Sequence, residues 1–270
     1  MNSAKFNSIF PDRSPVIGVV HLLPLPTSPR WGGSLKEVID RAEQEATALA
    51  AGGVDGIIVE NFFDAPFPKD RVDPAVISAM TIIIDRLLNL VTIPIGINVL
   101  RNDGFSGLAI AAATQAHFIR VNILTGVMAT DQGLIEGQAH DLLRYRRHLD
   151  LEHLPILADV QVKHAVPVGK TDLETAVHDT VHRGLADGVI ISGLATGKPP
   201  SLEDLKIAKE AVGKDAIPVL VGSGADWDNV HQLMNIADGV IVASSLKRQG
   251  EITAPIDPTR VSQFVEMAKS

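Results

Sequence analysis

Six apolar runs in this 270-residue chain end on side chains capable of acid–base, nucleophilic or anion-binding chemistry. His21 closes VIGVVH and Glu60 closes DGIIVE. Asn98 stands in PIGINV, Arg120 and Asn122 in HFIRVN, and Asp159 in PILADV, with Gln161 and Lys163 just beyond. Ser192 ends DGVIIS. Asp159 or Glu60 has the chemistry of a general base. Lys163 or Arg120 can stabilise negative charge that develops during a reaction, and a desolvated lysine can also attack a carbonyl. His21 completes the catalytic candidates. With Glu60 and Asp159 it has the donor types of a divalent-metal site, but no local ligand spacing supports one. Two further runs, IPVLVG and DGVIVA, lead into Gly222-Ser223-Gly224 and Ala243-Ser244-Ser245. Small residues let backbone N–H groups approach an anion closely. Gly222, Ser223, Gly224, Ser244 and Ser245 are therefore expected to hold a phosphate, with Gly193 and Gly197 completing the cradle. Asn98, Asn122, Asp131 and Ser192 are expected to line the same pocket. The nature of any cofactor is left open.

Each assignment has a plainer alternative. The polar groups can satisfy one another, with a Glu60–Arg120 ion pair bridged by Asn98. Lys163 can be a solvated rim residue, and the glycines can serve turn geometry alone. His178 and His182, one helical turn apart, read as an exposed helix face. For the set as a whole the pocket is favoured, because burying so many polar groups is costly unless they pair with each other or with a ligand.

These residues need a frame that aims them at one place. Eight short runs rich in Val and Ile alternate with longer helical stretches. Strands are expected near 15–21, 55–60, 94–99, 117–122, 155–160, 187–192, 217–222 and 238–243. Helices are expected near 34–51, 74–90, 104–115, 133–148, 172–184, 201–212, 226–235 and 258–268. Ile39, Ala42, Ala46 and Leu49 form a stripe at helical spacing, and Gly52-Gly53 can stop that helix. Pro94, Pro155 and Pro218 stand where strands begin, and Asp172, Ser201 and Asp226 read as N-caps. The segment 124–133 is expected to hold a small hairpin. Strict strand–helix alternation points to a parallel sheet. The count, the length and the absence of a composition break favour one closed (β/α)₈ barrel over residues 1–270, rather than an open doubly wound sheet. In such a barrel, polar residues at strand C-terminal ends face the mouth where barrel enzymes keep their chemistry.

Composition narrows the function classes. The formal net charge of −8 argues against nucleic acid as a partner and disfavours purely electrostatic docking to an anionic membrane. The absence of cysteine removes disulfides, thiolate nucleophiles and cysteine-held metals. No run approaches the ~18 apolar residues of a membrane span, and no secretory signal is visible. The 61–68 loop, with Phe62, Phe63 and Phe67, can form a subunit contact, a lid or a fold-over core. A homo-oligomer therefore stays open.

Several stretches together are specific: IGVVHLLPLPTSPRWGG (17–33), GGVDGIIVENFFDAPF (52–67), GINVLRND (96–103), FIRVN (118–122), GVMATDQGLIEGQAHDLLRYRR (126–147), ADVQVKHA (158–165), SGLATGKPPSLEDL (192–205) and VLVGSGA (219–225). Over nearly the whole chain they resemble the BtpA/SgcQ family, its cyanobacterial branch above all. The resemblance implies a barrel related to phosphate-binding ones. It also implies a role in photosystem I biogenesis, extrinsic to the thylakoid membrane, with photosystem I subunits or the thylakoid surface as partners. Other relatives of that family are described as enzymes, some as nucleosidases, so a phosphorylated metabolite or a nucleoside is the alternative substrate class. The resemblance carries no catalytic residues over.

Overall fold

In the strands expected above, inward and outward positions alternate, and the apolar residues of the two parities pack into separate cores. The computed structural model describes residues 3–11, 14–193, 198–213 and 217–270. Eight parallel strands close into a barrel: β1 (Val16–His21), β2 (Gly56–Glu60), β3 (Ile95–Asn98), β4 (Phe118–Val121), β7 (Ile156–Val160), β9 (Gly188–Ile191), β10 (Val219–Val221) and β11 (Gly239–Val242). Their order around the barrel is β1-β11-β10-β9-β7-β4-β3-β2. Residues of one parity, such as Val16, Ile57, Ile97 and Val240, pack outward against the helices. Those of the other, Ile17, Val19, Ile58, Phe118, Leu157, Ile190, Leu220 and Ile241, fill the interior. At Gly96 a Cβ would collide with the Phe118 ring, so the missing side chain makes room for the largest interior residue.

The helices between barrel strands are α2 (Leu35–Ala51), α3 (Pro74–Leu90), α4 (Gly104–Thr114), α5 (Ala139–His148), α6 (Leu173–His178), α7 (Leu202–Val212) and α8 (Val230–Met234), and α9 (Pro258–Lys269) closes the chain. Ser34, Asp73, Asp103, Asp172, Ser201 and Asp257 cap helix N-termini with their side chains. Gly52 ends α2, and Gly53 turns away with φ +88°. Asp226 departs from expectation. Its carboxylate accepts from the N–H groups of Asp228 and Asn229, closing a turn ahead of α8, whose N-cap is Asn229. The helix expected from residue 133 starts at Ala139, because Gly133–Glu136 (β6) pairs antiparallel with Val127–Thr130 (β5). That is the expected hairpin, displaced a few residues toward the C-terminus and joined by a third strand, Ala165–Pro167 (β8). After α6 the chain continues as a π-helical turn, Asp179–Arg183.

One element was not expected. Helix α1 (Ser3–Ile9) brings Phe6 and Phe10 into the barrel's interior core. Phe10 packs edge-on to Phe118 at 5.7 Å between ring centroids. Lys5 reaches Asp187 at 3.0 Å, and Asp187 also accepts from Arg146 at 2.7 Å and from the Ile156 N–H.

Candidate functional site

Continuing the inward parity past the apolar layers puts His21, Glu60, Asn98, Arg120 and Asp159 at the C-terminal end of the barrel. All five are buried. Arg120 is their hub. Its Nε and Nη2 donate to the two oxygens of Asp159, both at 2.8 Å, and its Nη1 donates to Glu60 Oε1 at 3.0 Å. Asn122 Nδ2 donates to Asp159 at 3.0 Å. Burial alone would lower the pKa of the guanidinium, but the Asp159 and Glu60 carboxylates outweigh it and raise it. Both Asp159 oxygens and one of Glu60 are thus engaged by Arg120, which argues against using them with His21 as a metal set. Among the described residues no group of three or more His, Cys, Asp or Glu is arranged to hold a metal.

Asn98 does not bridge Glu60 and Arg120. Neither of its side-chain polar atoms has a hydrogen-bond partner among the described residues, and the same holds for His21 Nδ1 and Ser192 Oγ. Leaving such groups unpaired is costly, so these atoms mark where the interior is incomplete without a ligand or water. His21 Nε2 lies 3.8 Å from Glu60 Oε2, too far for a hydrogen bond, and its ring stacks on Phe62 at 4.1 Å. Phe62 is held there by its neighbours. Asn61 accepts from the Leu100 N–H, and Asp64 accepts from the Leu25 N–H and from Asn61. This aromatic loop folds over the barrel rather than projecting from it.

Burial, with help from Lys247, Lys163 and Arg120, holds the His21 imidazole well below its ordinary value of 6.5. The folded value lies below the unfolded one. The stability of neutral His21 is therefore complete above about pH 6.5 and is lost as pH falls below it. His21→Gln is expected to flatten stability against pH between 7 and 5, as read by urea denaturation. Equal slopes for the two proteins would show that His21 is not held neutral.

The cavity at this end encloses about 250 Å³. One wall carries His21, Glu60, Phe62, Arg120 and Lys163. The other carries Gly222, Ser223, Gly224, Ser244 and Ser245, with Trp227 and Arg260. Four of the five catalytic candidates, His21, Glu60, Arg120 and Lys163, thus share one cavity with five of the expected phosphate residues, whereas Asp159 does not line it. The N–H groups of Ser223, Gly224 and Ala225 donate to no other described residue. Ser245 Oγ is committed to the Ala225 carbonyl at 2.6 Å. Gly224, with φ +76°, has the backbone of 198–199 where its Cβ would be, and Gly193 packs on the same backbone. For these two, glycine is already demanded by packing. Gly197 lies outside the described residues. Asn122 and Asp159 face a neighbouring cavity of about 270 Å³ under the β5-β8 ladder, and Asn98 and Ser192 line neither cavity. Asp131 sits on the exposed turn between β5 and β6, outside both cavity walls.

Two contributors were not singled out from sequence. Arg101 is buried and donates to the Lys163 carbonyl at 2.8 Å, fixing the segment that carries Lys163 across the mouth. Arg260 donates to the Ser245 carbonyl at 2.8 Å, and its guanidinium lies 5.3 Å from the Trp227 ring centroid. Arg101 falls in RND and Arg260 in PTR, where no periodicity flags them.

The fold recurs in solved structures of low sequence identity. Tryptophan synthase from Mycobacterium tuberculosis superposes with a TM-score of 0.60 at 17% identity, covering 99% of this chain and 96% of that one. Phosphoribosylanthranilate isomerase from Pyrococcus furiosus gives 0.57 at 14% identity, covering 95% and 98%. In sequence, the photosystem I biogenesis protein BtpA of Synechocystis sp. is 70% identical over 257 residues, 95% of this chain and 88% of its own length. An uncharacterized protein of Thermococcus kodakarensis is 45% identical, covering 96% of both chains. A mitochondrial uncharacterized protein of Caenorhabditis elegans is 32% identical over 93% of this chain and 91% of its own. The BtpA family model matches residues 12–270, and the chain belongs to the BtpA family.

Proposed function

We propose that this chain supports photosystem I biogenesis, acting as a peripheral protein at the cytoplasmic face of the thylakoid. The observation that carries this reading is its 70% identity to the Synechocystis protein of that name over 95% of the chain. No helix among the described residues is long and apolar enough to cross a membrane, which fits peripheral attachment. The test is complementation. A Synechocystis strain lacking its own copy is expected to lose photosystem I reaction-centre protein several-fold, and this chain is expected to restore it. Failure to restore, with the chain expressed and folded, would overturn the reading.

A second reading concerns the same protein's chemistry. The mouth accommodates a small phosphorylated metabolite, with the anion against Gly222, Ser223, Gly224 and Ser244 and the reacting groups beside Arg120 and Lys163. The unengaged N–H groups of Ser223, Gly224 and Ala225 favour it. So does the reach of the family into an archaeon and a nematode, which build no photosystem I. Inorganic phosphate at a hundred times its Kd is expected to stabilise the fold by about 2.7 kcal/mol. Ser244→Asp, which sets a carboxylate in the cradle, is expected to abolish that gain in a thermal-shift titration. An equal gain in the variant would place phosphate elsewhere.

A further inference from the structure

In the same cavity as the Gly/Ser loops stands a lysine that forms no ion pair among the described residues. We propose that the mouth binds a phosphorylated aldehyde or ketone, and that Lys163 Nζ adds to its carbonyl carbon to form an imine. This rests on the phosphate reading above and names its substrate class.

Four observations support it. Lys163 shares one cavity with the Gly222–Gly224 and Ser244–Ser245 loops, so a single small molecule can touch both. Asp159 commits both oxygens to Arg120 and Glu60 commits one, and no ion pair to Lys163 forms among the described residues. The chain is also bent to present this residue. Gln161 and His164, on either side, adopt left-handed backbone with φ +51° and +57°, a conformation that costs about 1–3 kcal/mol and recurs at functional sites. Arg101 then pins the Lys163 carbonyl. Finally, burial and the Arg120 charge lower the pKa of the amine, which favours its neutral, nucleophilic form.

The chemistry balances without a redox partner. The nitrogen lone pair forms the C–N bond while the carbonyl π pair moves to oxygen, which takes a proton. The nitrogen gives up a proton, and the carbinolamine hydroxyl, protonated in turn, leaves as water to give C=N. Glu60 and His21 line the same cavity. Glu60 Oε2 and His21 Nδ1 make no hydrogen bond to Arg120, and His21 Nδ1 is without a partner among the described residues. These two atoms are placed to carry the protons.

The experiment is reductive trapping on the full chain. The protein is incubated with dihydroxyacetone phosphate or glyceraldehyde phosphate and reduced with borohydride, and the adduct is mapped by peptide mass spectrometry. The expected result is one adduct per chain, on Lys163. Excess inorganic phosphate should suppress it, and the unphosphorylated sugars should form it at least tenfold more slowly. Lys163→Arg should lose the adduct while keeping its thermal shift with phosphate. If phosphate stabilises the protein but neither sugar labels Lys163, the imine inference is overturned and the phosphate reading stands. If Lys163 is labelled but phosphate neither protects nor stabilises, the imine stands and the phosphate reading fails. Labelling spread over surface lysines and unchanged in Lys163→Arg would also overturn the proposal.

Discussion

Arg120→Met is expected to destabilise the protein by about 3–5 kcal/mol, measured by urea denaturation near neutral pH. The guanidinium is the partner of both Asp159 oxygens and of Glu60, and all three side chains are buried. Removing it leaves two carboxylates in a poorly solvated interior with no compensating charge. Breaking a buried pair in this way costs about that much, although the intact pair itself contributes little net stability. A triple variant, Arg120→Met with Glu60→Gln and Asp159→Asn, should therefore recover most of the loss. Non-additivity of this kind marks groups that act as one network. A loss under about 1 kcal/mol in the single variant would show that the carboxylates reach solvent and that Arg120 is not their hub.

The second large effect lies at the opposite end of the barrel. Phe10→Ala is expected to cost about 3–5 kcal/mol, the usual range for emptying a buried phenylalanine site. Phe10 is 3% exposed and packs on both Phe6 and Phe118. The space it leaves adjoins the Phe118 ring, which Gly96 and the strands hold in place, so collapse into it is limited. Phosphate affinity at the mouth should be unchanged, because apolar layers separate the two ends. A stable variant would mean that α1 lies loosely on the floor, and altered phosphate affinity would mean that the ends are coupled.

The barrel was legible because its signal is repetitive. Each Val/Ile-rich run is a buried strand, and parity within a run decides which residues face inward. That is why His21, Glu60, Arg120 and Asp159 meet although they are scattered over the chain. The sequence could not say which polar groups pair. Arg120 spans two carboxylates, whereas Asn98, on the same inward parity and in register with Glu60, bridges nothing. Pairing depends on side-chain reach across strands, which periodicity does not encode. The antiparallel sheet was half seen. GLIE reads equally as the start of a helix until its pairing with VMAT decides against it. Helix α1 was missed because seven residues with one apolar turn are too short to signal alone, and only docking of Phe6 and Phe10 stabilises it. Arg101 and Arg260 act from loop and helix-start positions, where identity carries no directional information.

The floor formed by Phe6, Phe10 and Phe118 also constrains traffic. A tube stoppered at one end is a cul-de-sac at that end. Whatever enters past Trp227 and Arg260 cannot leave through the packed floor, so two molecules cannot pass through the barrel in file. Turnover, if the mouth reacts its guest, is then a sequence of entry and retreat. The departing molecule and the next arrival compete for the same opening, and a tightly held product would act as a plug against its own replacement.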